Sequence, residues 1–350
     1  MKYAQVDELK RNLIDVQHSV NDLLENLKDS RLLIFGGTGF VGRWICLVGQ
    51  GILASTGVGP RLTIISRDKL RAARVLRAFI PSDISLPQII SYEEFFDDSN
   101  FKAGAEKVDG IFYAATPTNK DDKSIFRLPK LTERILARCA DLNKPKFLHL
   151  SSGGVYERGM FHGQHISERM PRVELIESLN AYQAVKIELE LLVEQADAAG
   201  IINGVNPRLF TFAGPGFPLG SKYASADFIK SAILNKRIVI KGHPETRRSY
   251  MHPADMVVWI LRAWANVDVL KGRSFHIGSP VPLSLHELAD RIAYFVGSTE
   301  IIMNSDPLVE EEWYVPEPLA LRSLGCTFLH PNIDVIVESW LRYLSPLRYA

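Results

Sequence analysis

The chain has 350 residues, 41 of them basic and 40 acidic, with 46% hydrophobic and 23% charged residues and a formal net charge of +1. That is the make-up of a globular chain long enough for a large core, with about two structural units at roughly 150 residues each. It shows no basic excess for nucleic acid or a membrane surface, and no apolar run near the ~20 residues that cross a bilayer.

Cys46, Cys139 and Cys326 are scattered without CxxC spacing. Neither a disulfide framework nor a metal site is expected, and the cytoplasm is the expected compartment. Residues 1–30 lack the apolar stretch of a signal peptide and are too acidic for a transit peptide. Leu13, Val16, Val20, Leu23, Leu24 and Leu27 recur there at helical spacing. That spacing predicts an N-terminal helical extension packed on the main fold.

From Arg31 onward, short apolar runs alternate with helix-like stretches. Strands are predicted over 31–35, 62–65, 88–90, 110–114, 147–150 and 202–206, and helices over 40–53, 69–79, 129–142 and 180–199. Apolar runs of four or five residues suit strands covered on both faces. The alternation predicts an α/β fold with a Rossmann-like, doubly wound parallel sheet. Past Pro207 the pattern loosens into Gly-Pro-rich loops and shorter pieces, with one further strand at 275–277. The expected organisation is a helical extension over 1–30 and a dinucleotide-binding domain over 31–206, to which 250–278 returns. A smaller C-terminal α/β substrate lobe would comprise 207–249 and 279–350.

The segment Gly36-Gly37-Thr38-Gly39-Phe40-Val41-Gly42 follows a predicted strand and opens a helix, with Gly36, Gly39 and Gly42 spaced GxxGxxG. The chain must turn sharply there and let a pyrophosphate reach the free amides of the helix N-terminus. The second strand ends in Ser66-Arg67-Asp68. An acid at this place holds a ribose hydroxyl, whereas Arg67 suits a 2′-phosphate, which favours NADP over NAD; a solvated Arg67 with Asp68 on the ribose is the other reading. Ser151 and Ser152 follow the fifth strand. Tyr182 and Lys186 lie four apart, on one face of a predicted helix. A cationic neighbour favours the phenolate, so such a tyrosine can exchange a proton with a hydroxyl or carbonyl that a serine holds in place.

With these motifs assembled, the sequence resembles the extended short-chain dehydrogenase/reductase family, the NAD-dependent epimerase/dehydratase group that acts on nucleotide sugars. The resemblance is carried by GGTGFVG (36–42), YAATPT (113–118), LSSGGVY (150–156), YQAVK (182–186), NPRLFTFAGPG (206–216), RRSYMHPADMV (247–257), FHIGS (275–279) and YVPEPLALRSLG (314–325). It implies a catalytic Ser152, Tyr182 and Lys186, with Lys186 also on the nicotinamide ribose. Ala114, Ala115 and Thr116 would touch the cofactor. Arg208 and Thr211 would lie at the substrate, and Arg248 would grip its diphosphate. It also implies a homodimer built on the 129–142 and 180–199 helices.

Where related dehydratases have an Asp-Glu pair and related decarboxylases a Glu, this chain has Gly153 and Gly154. Neither titrates, so dehydration and decarboxylation lose their main group; with Arg67 at the second strand end, the resemblance implies reduction of a 4-keto-6-deoxy nucleotide sugar as the leading reaction. A 4-epimerase with bound NAD and a catalytically silent dinucleotide sensor are the alternatives. The chain departs from the family pattern at Thr211, where an Asn is usual, and at Ser91-Tyr92-Glu93-Glu94. His162 and His165, in an insertion before Tyr182, are expected to be solvated loop residues.

Overall fold

The computed structural model describes residues 3–97, 107–116, 123–156, 163–174, 179–304 and 310–348. Six strands form its main sheet: β1 (Arg31–Phe35), β2 (Arg61–Ser66), β3 (Gln88–Ser91), β4 (Gly110–Tyr113), β5 (Lys146–His149) and β6 (Asn203–Val205). They run in the order β3-β2-β1-β4-β5-β6, every pair parallel. The fold is α/β, with the doubly wound strand order expected of the alternating pattern. All four residues of β4 and the last four of β1 are buried, as strands covered on both faces require. The order reverses between β1 and β4. That reversal opens a crevice at the carboxyl ends of the strands, where such sheets take ligands.

Among the described residues, nine longer helices surround the strands: α1 (Tyr3–Ser19), α2 (Phe40–Thr56), α3 (Lys69–Arg77), α4 (Leu128–Cys139), α5 (Ala181–Ala198), α6 (Ala224–Asn235), α7 (Pro253–Ala265), α8 (Leu285–Val296) and α9 (Ile333–Arg348). Most predicted bounds shift by one to three residues. The helix expected over 180–199 starts at Ala181 because Asn180 is its cap, accepting the Gln183 N–H. The aberrant Ser91–Glu94 segment is a capping box: Ser91 accepts the Glu94 N–H while the Glu94 carboxylate accepts the Ser91 N–H.

α1 is built into the molecule. It packs on α2, α7 and α9, with Leu9, Leu13, Val16 and Val20 buried. A Cβ at Gly51 would lie 2.4 Å from the Leu13 side chain, so the glycine makes room for it. Glu8 is 2% exposed and accepts from Ser339 at 2.6 Å and from Arg342 at 2.7 Å, fastening the first long helix to the last. Arg262 holds the next turn through both oxygens of Asp22.

A second parallel sheet of three short strands went unpredicted, apart from its 275–277 edge. Phe275–Ile277, Pro207–Leu209 and Ser151–Ser152 lie side by side in that order. Two of them continue the chain just beyond β5 and β6, so this sheet delivers Ser152 to the crevice. Past it, Arg237–Ile240 pairs with Glu300–Met303, and Arg247–Arg248 lies between Leu283–Ser284 and Trp313–Tyr314. Among the described residues, no helix is long and apolar enough to cross a membrane.

Candidate active site

The glycine loop joins β1 to α2. Gly36 has φ +81°, and a Cβ there would lie 2.6 Å from the Ala114 carbonyl carbon. At Gly42 a Cβ would lie 2.4 Å from the Gly36 oxygen, so the helix packs directly on the loop. Gly39 is the cap residue of α2 and supplies no side-chain cap, which leaves first-turn amides for a ligand. Thr38, Phe40 and Val41 are half-buried around this cradle. Ala114 and Ala115, at the end of β4, adjoin Gly36, and Thr116 is exposed beyond them. This is a cradle that side chains would fill, and it fits a dinucleotide pyrophosphate. Pro117 and Thr118 lie outside the described residues.

At the end of β2, Ser66 hydrogen-bonds with the Asp68 backbone. The Asp68 carboxylate caps α3, accepting the Arg71 N–H at 2.9 Å. Arg67 is exposed and makes no ion pair among the described residues.

Tyr182, Lys186 and Glu190 lie one turn apart along α5. Lys186 is 3% exposed, and its ammonium donates to the Leu150 carbonyl at 2.9 Å. Burial pushes it down to about 8, with Glu190 opposing. Tyr182 is pushed up to about 12 by burial, and its hydrogen bond with Ser152 pulls the other way. Burial and the neighbouring Tyr223 outweigh that hydrogen bond, so Tyr182 is held as a neutral phenol rather than the phenolate that a cationic neighbour favours. Ser152 Oγ accepts the Gly154 N–H at 3.0 Å.

Ser152 and Tyr182 open on a cavity of about 280 Å³ that Thr211, Arg248 and Tyr314 also line. Arg248 is paired with Glu312, and its guanidinium stands 5.5 Å from the Tyr314 ring centre. Arg247 turns away to Glu245 and Glu287.

Arg208 requires a correction. It is 2% exposed and does not reach the cavity. Its Nε and a terminal nitrogen bond the two oxygens of fully buried Glu190, at 3.1 and 2.8 Å. The remaining terminal nitrogen donates to Tyr156 at 2.7 Å. Three of its five N–H donors are used in this way, and its burial keeps the guanidinium from the substrate cavity. His165 is held at the Pro280 carbonyl, and His162 lies outside the described residues.

A family model, the NAD-dependent epimerase/dehydratase family, matches residues 32–278. The chain belongs to this family. It is accordingly an enzyme. No curated protein matches the chain in sequence. Among solved structures, it is similar to epimerase Mth375 of Methanothermobacter thermautotrophicus, at 17% identity and a TM-score of 0.73 over 95% of this chain and 98% of that one. It is also similar to the UDP-glucuronic acid 4-epimerase of Bacillus cereus in complex with UDP-glucuronic acid and NAD, at 18% identity, a TM-score of 0.71, and 91% and 99% of the two chains. TunA, an NAD-dependent NDP-hexosamine 5,6-dehydratase involved in tunicamycin biosynthesis, matches at 18% identity and a TM-score of 0.66 over 90% and 97%. At such identities the likeness is one of fold.

Family motifs did not single out Tyr314, Tyr223, Tyr250 or Glu312, which also line the cavity. Tyr314 opens one of the family segments, but nothing in its spacing connects it to Ser152.

Proposed function

We propose that this enzyme is an NADP-dependent nucleotide-sugar oxidoreductase that reduces a 4-keto-6-deoxy sugar. The observation that carries the reading is the end of β2. Asp68 is committed to capping α3, which leaves Arg67 as the exposed side chain for a 2′-phosphate. The pyrophosphate would lie on the first-turn amides of α2, and the ribose near Lys186. The bound nicotinamide supplies the hydride. Tyr182, neutral and beside Ser152, donates the proton to the oxygen that gains charge, while Ser152 hydrogen-bonds that same oxygen. Lys186, tied to Leu150, fixes the α5 face on which Tyr182 stands. Arg248 would exchange Glu312 for the substrate diphosphate, an anion suited to a guanidinium fork. Holding both reactants in one cleft contributes through proximity.

An NAD-dependent 4-epimerase is the second reading, favoured by the Bacillus cereus 4-epimerase and its NAD. Mass spectrometry of the natively purified protein separates the two. Released NADP with reduction of a TDP-4-keto-6-deoxy sugar is the expected result, whereas retained NAD with C4 inversion of UDP-glucuronic acid overturns it.

Arg67 carries its own prediction. Arg67→Ala should weaken NADPH roughly tenfold to a hundredfold more than NADH, because a charge-assisted contact contributes about 1.5–3 kcal/mol. Titration calorimetry with both cofactors checks this; equal weakening shows that Arg67 only stacks on adenine.

A further inference from the structure

The substrate cavity holds an acid that the family motifs do not announce. Among the described residues that line it, three side chains carry a formal charge: Lys222, Arg248 and Glu312. The Glu312 carboxylate is bound directly to one terminal guanidinium nitrogen of Arg248. The other terminal nitrogen is turned to the Arg247 and Glu312 carbonyls, at 3.0 and 3.5 Å. The cation assigned to the substrate diphosphate therefore already carries a counter-ion, supplied by the wall of the same cavity.

That counter-ion has little room to leave. The Glu312 N–H donates to Thr246 Oγ1 at 3.2 Å, and its carbonyl accepts the Arg247 N–H at 2.7 Å. The two residues that follow, Trp313 and Tyr314, pair in register with Arg247 and Arg248. The backbone of Glu312 is thus tied to the strand that carries Arg248, and only its side-chain torsions can turn. Arg247 does not draw the carboxylate off, since Glu245 and Glu287 already hold it. A phosphate that takes Arg248 must displace a charge-assisted bond and then lie beside the displaced carboxylate. The repulsion grows with the charge on that phosphate. An intact nucleotide sugar carries one charge on each phosphate. A free nucleoside diphosphate ends in a phosphomonoester, whose second proton is lost at about pH 6, so it carries a further charge at neutral pH.

We propose that Glu312 is a specificity-determining residue, a built-in counter-ion of Arg248 that admits the singly charged phosphates of an intact nucleotide sugar and disfavours the more highly charged free nucleoside diphosphate. The proposal rests on the reading of Arg248 as the diphosphate anchor. It goes beyond that reading by giving the cavity a means of keeping its anchor from nucleotides that carry no sugar to reduce.

The test is calorimetric titration with TDP-glucose and TDP, and in parallel with UDP-glucose and UDP, while excess NAD and NADP fill the glycine-loop cradle. Glu312→Gln keeps the length of the side chain and its backbone bonds, and removes only the charge. It should tighten the nucleotide sugar about tenfold, the low end of what a charge-assisted contact contributes, and the free diphosphate about a hundredfold. The preference for nucleotide sugar over free diphosphate then falls about tenfold. Glu312→Asp keeps the charge and should keep the wild-type preference. Unchanged or weaker binding in Glu312→Gln, an equal gain for both kinds of ligand, or a Glu312→Asp that behaves as Glu312→Gln overturns the proposal. Arg248→Met should weaken all four ligands. If it leaves them unchanged, or if none of the four binds the wild-type protein, the diphosphate reading of Arg248 beneath the proposal is overturned instead.

Discussion

Replacing Arg208 by Met should lower thermal stability by on the order of ten degrees, and it should do so before any effect on substrate affinity can be measured. Glu190 is fully buried and takes both of its strongest cationic contacts from Arg208, with Arg172 at 3.2 Å and Ser151 at 2.6 Å completing the set. Removing one partner of a buried ion pair leaves a charge without compensation, at a cost of about 3–5 kcal/mol. The loss also reaches Tyr156, whose hydroxyl accepts from Arg208 and lies 2.7 Å from His276 Nε2. His276 stays neutral because burial and the neighbouring arginine push it down to about 3. Adding Glu190→Leu to Arg208→Met should recover much of the stability, since apolar replacement of a buried pair is often close to neutral. Calorimetric melting of the two variants checks this. A stable Arg208→Met with a raised KM would return Arg208 to the substrate.

That contrast shows where the sequence was legible. The main sheet could be read because each of its strands is a short apolar run, and periodicity reports burial directly. The glycine loop and the α5 face were legible because their spacing is local: three glycines in one turn, then Tyr182 and Lys186 one turn apart. Arg208 was misplaced because family position records where the chain passes and not where a side chain points. Glu190, which decides that direction, lies one turn beyond Lys186 and looks like any solvated helix acid. The other two strands of the second sheet, Ser151–Ser152 and Pro207–Leu209, were missed because they have two or three residues, too few for a period, and one of them begins with Pro207. Tyr314 was illegible for a different reason. It reaches the cavity from a two-residue strand late in the chain that pairs with Arg247–Arg248.

Tyr182→Phe should keep cofactor and nucleotide-sugar binding while lowering kcat by about a hundredfold to ten-thousandfold, the usual contribution of a general acid. The ring stays on α5 and only the proton donor is lost. Because burial holds the phenol near 12, Tyr182 carries its proton throughout the neutral range, and the variant's deficit should be the same from pH 6 to 8, roughly. Stopped-flow turnover with a TDP-4-keto-6-deoxy sugar, beside calorimetric binding of the same compound, separates the two effects; near-native turnover would remove Tyr182 from the reaction. A paired expectation concerns what the strand end can become. Gly153→Asp with Gly154→Glu should not produce a 4,6-dehydratase. The space beside residue 153 already holds the Tyr314 hydroxyl and the Phe210 ring, and a Cβ at 154 would lie 3.4 Å from the Tyr182 ring. An acid forced in there would displace the groups it must work with, and useful placement demands about half an ångström. Conversely, 4,6-dehydration of a nucleotide hexose by the unmodified enzyme would falsify the reductase reading, since it needs a base at C5 that two glycines do not supply.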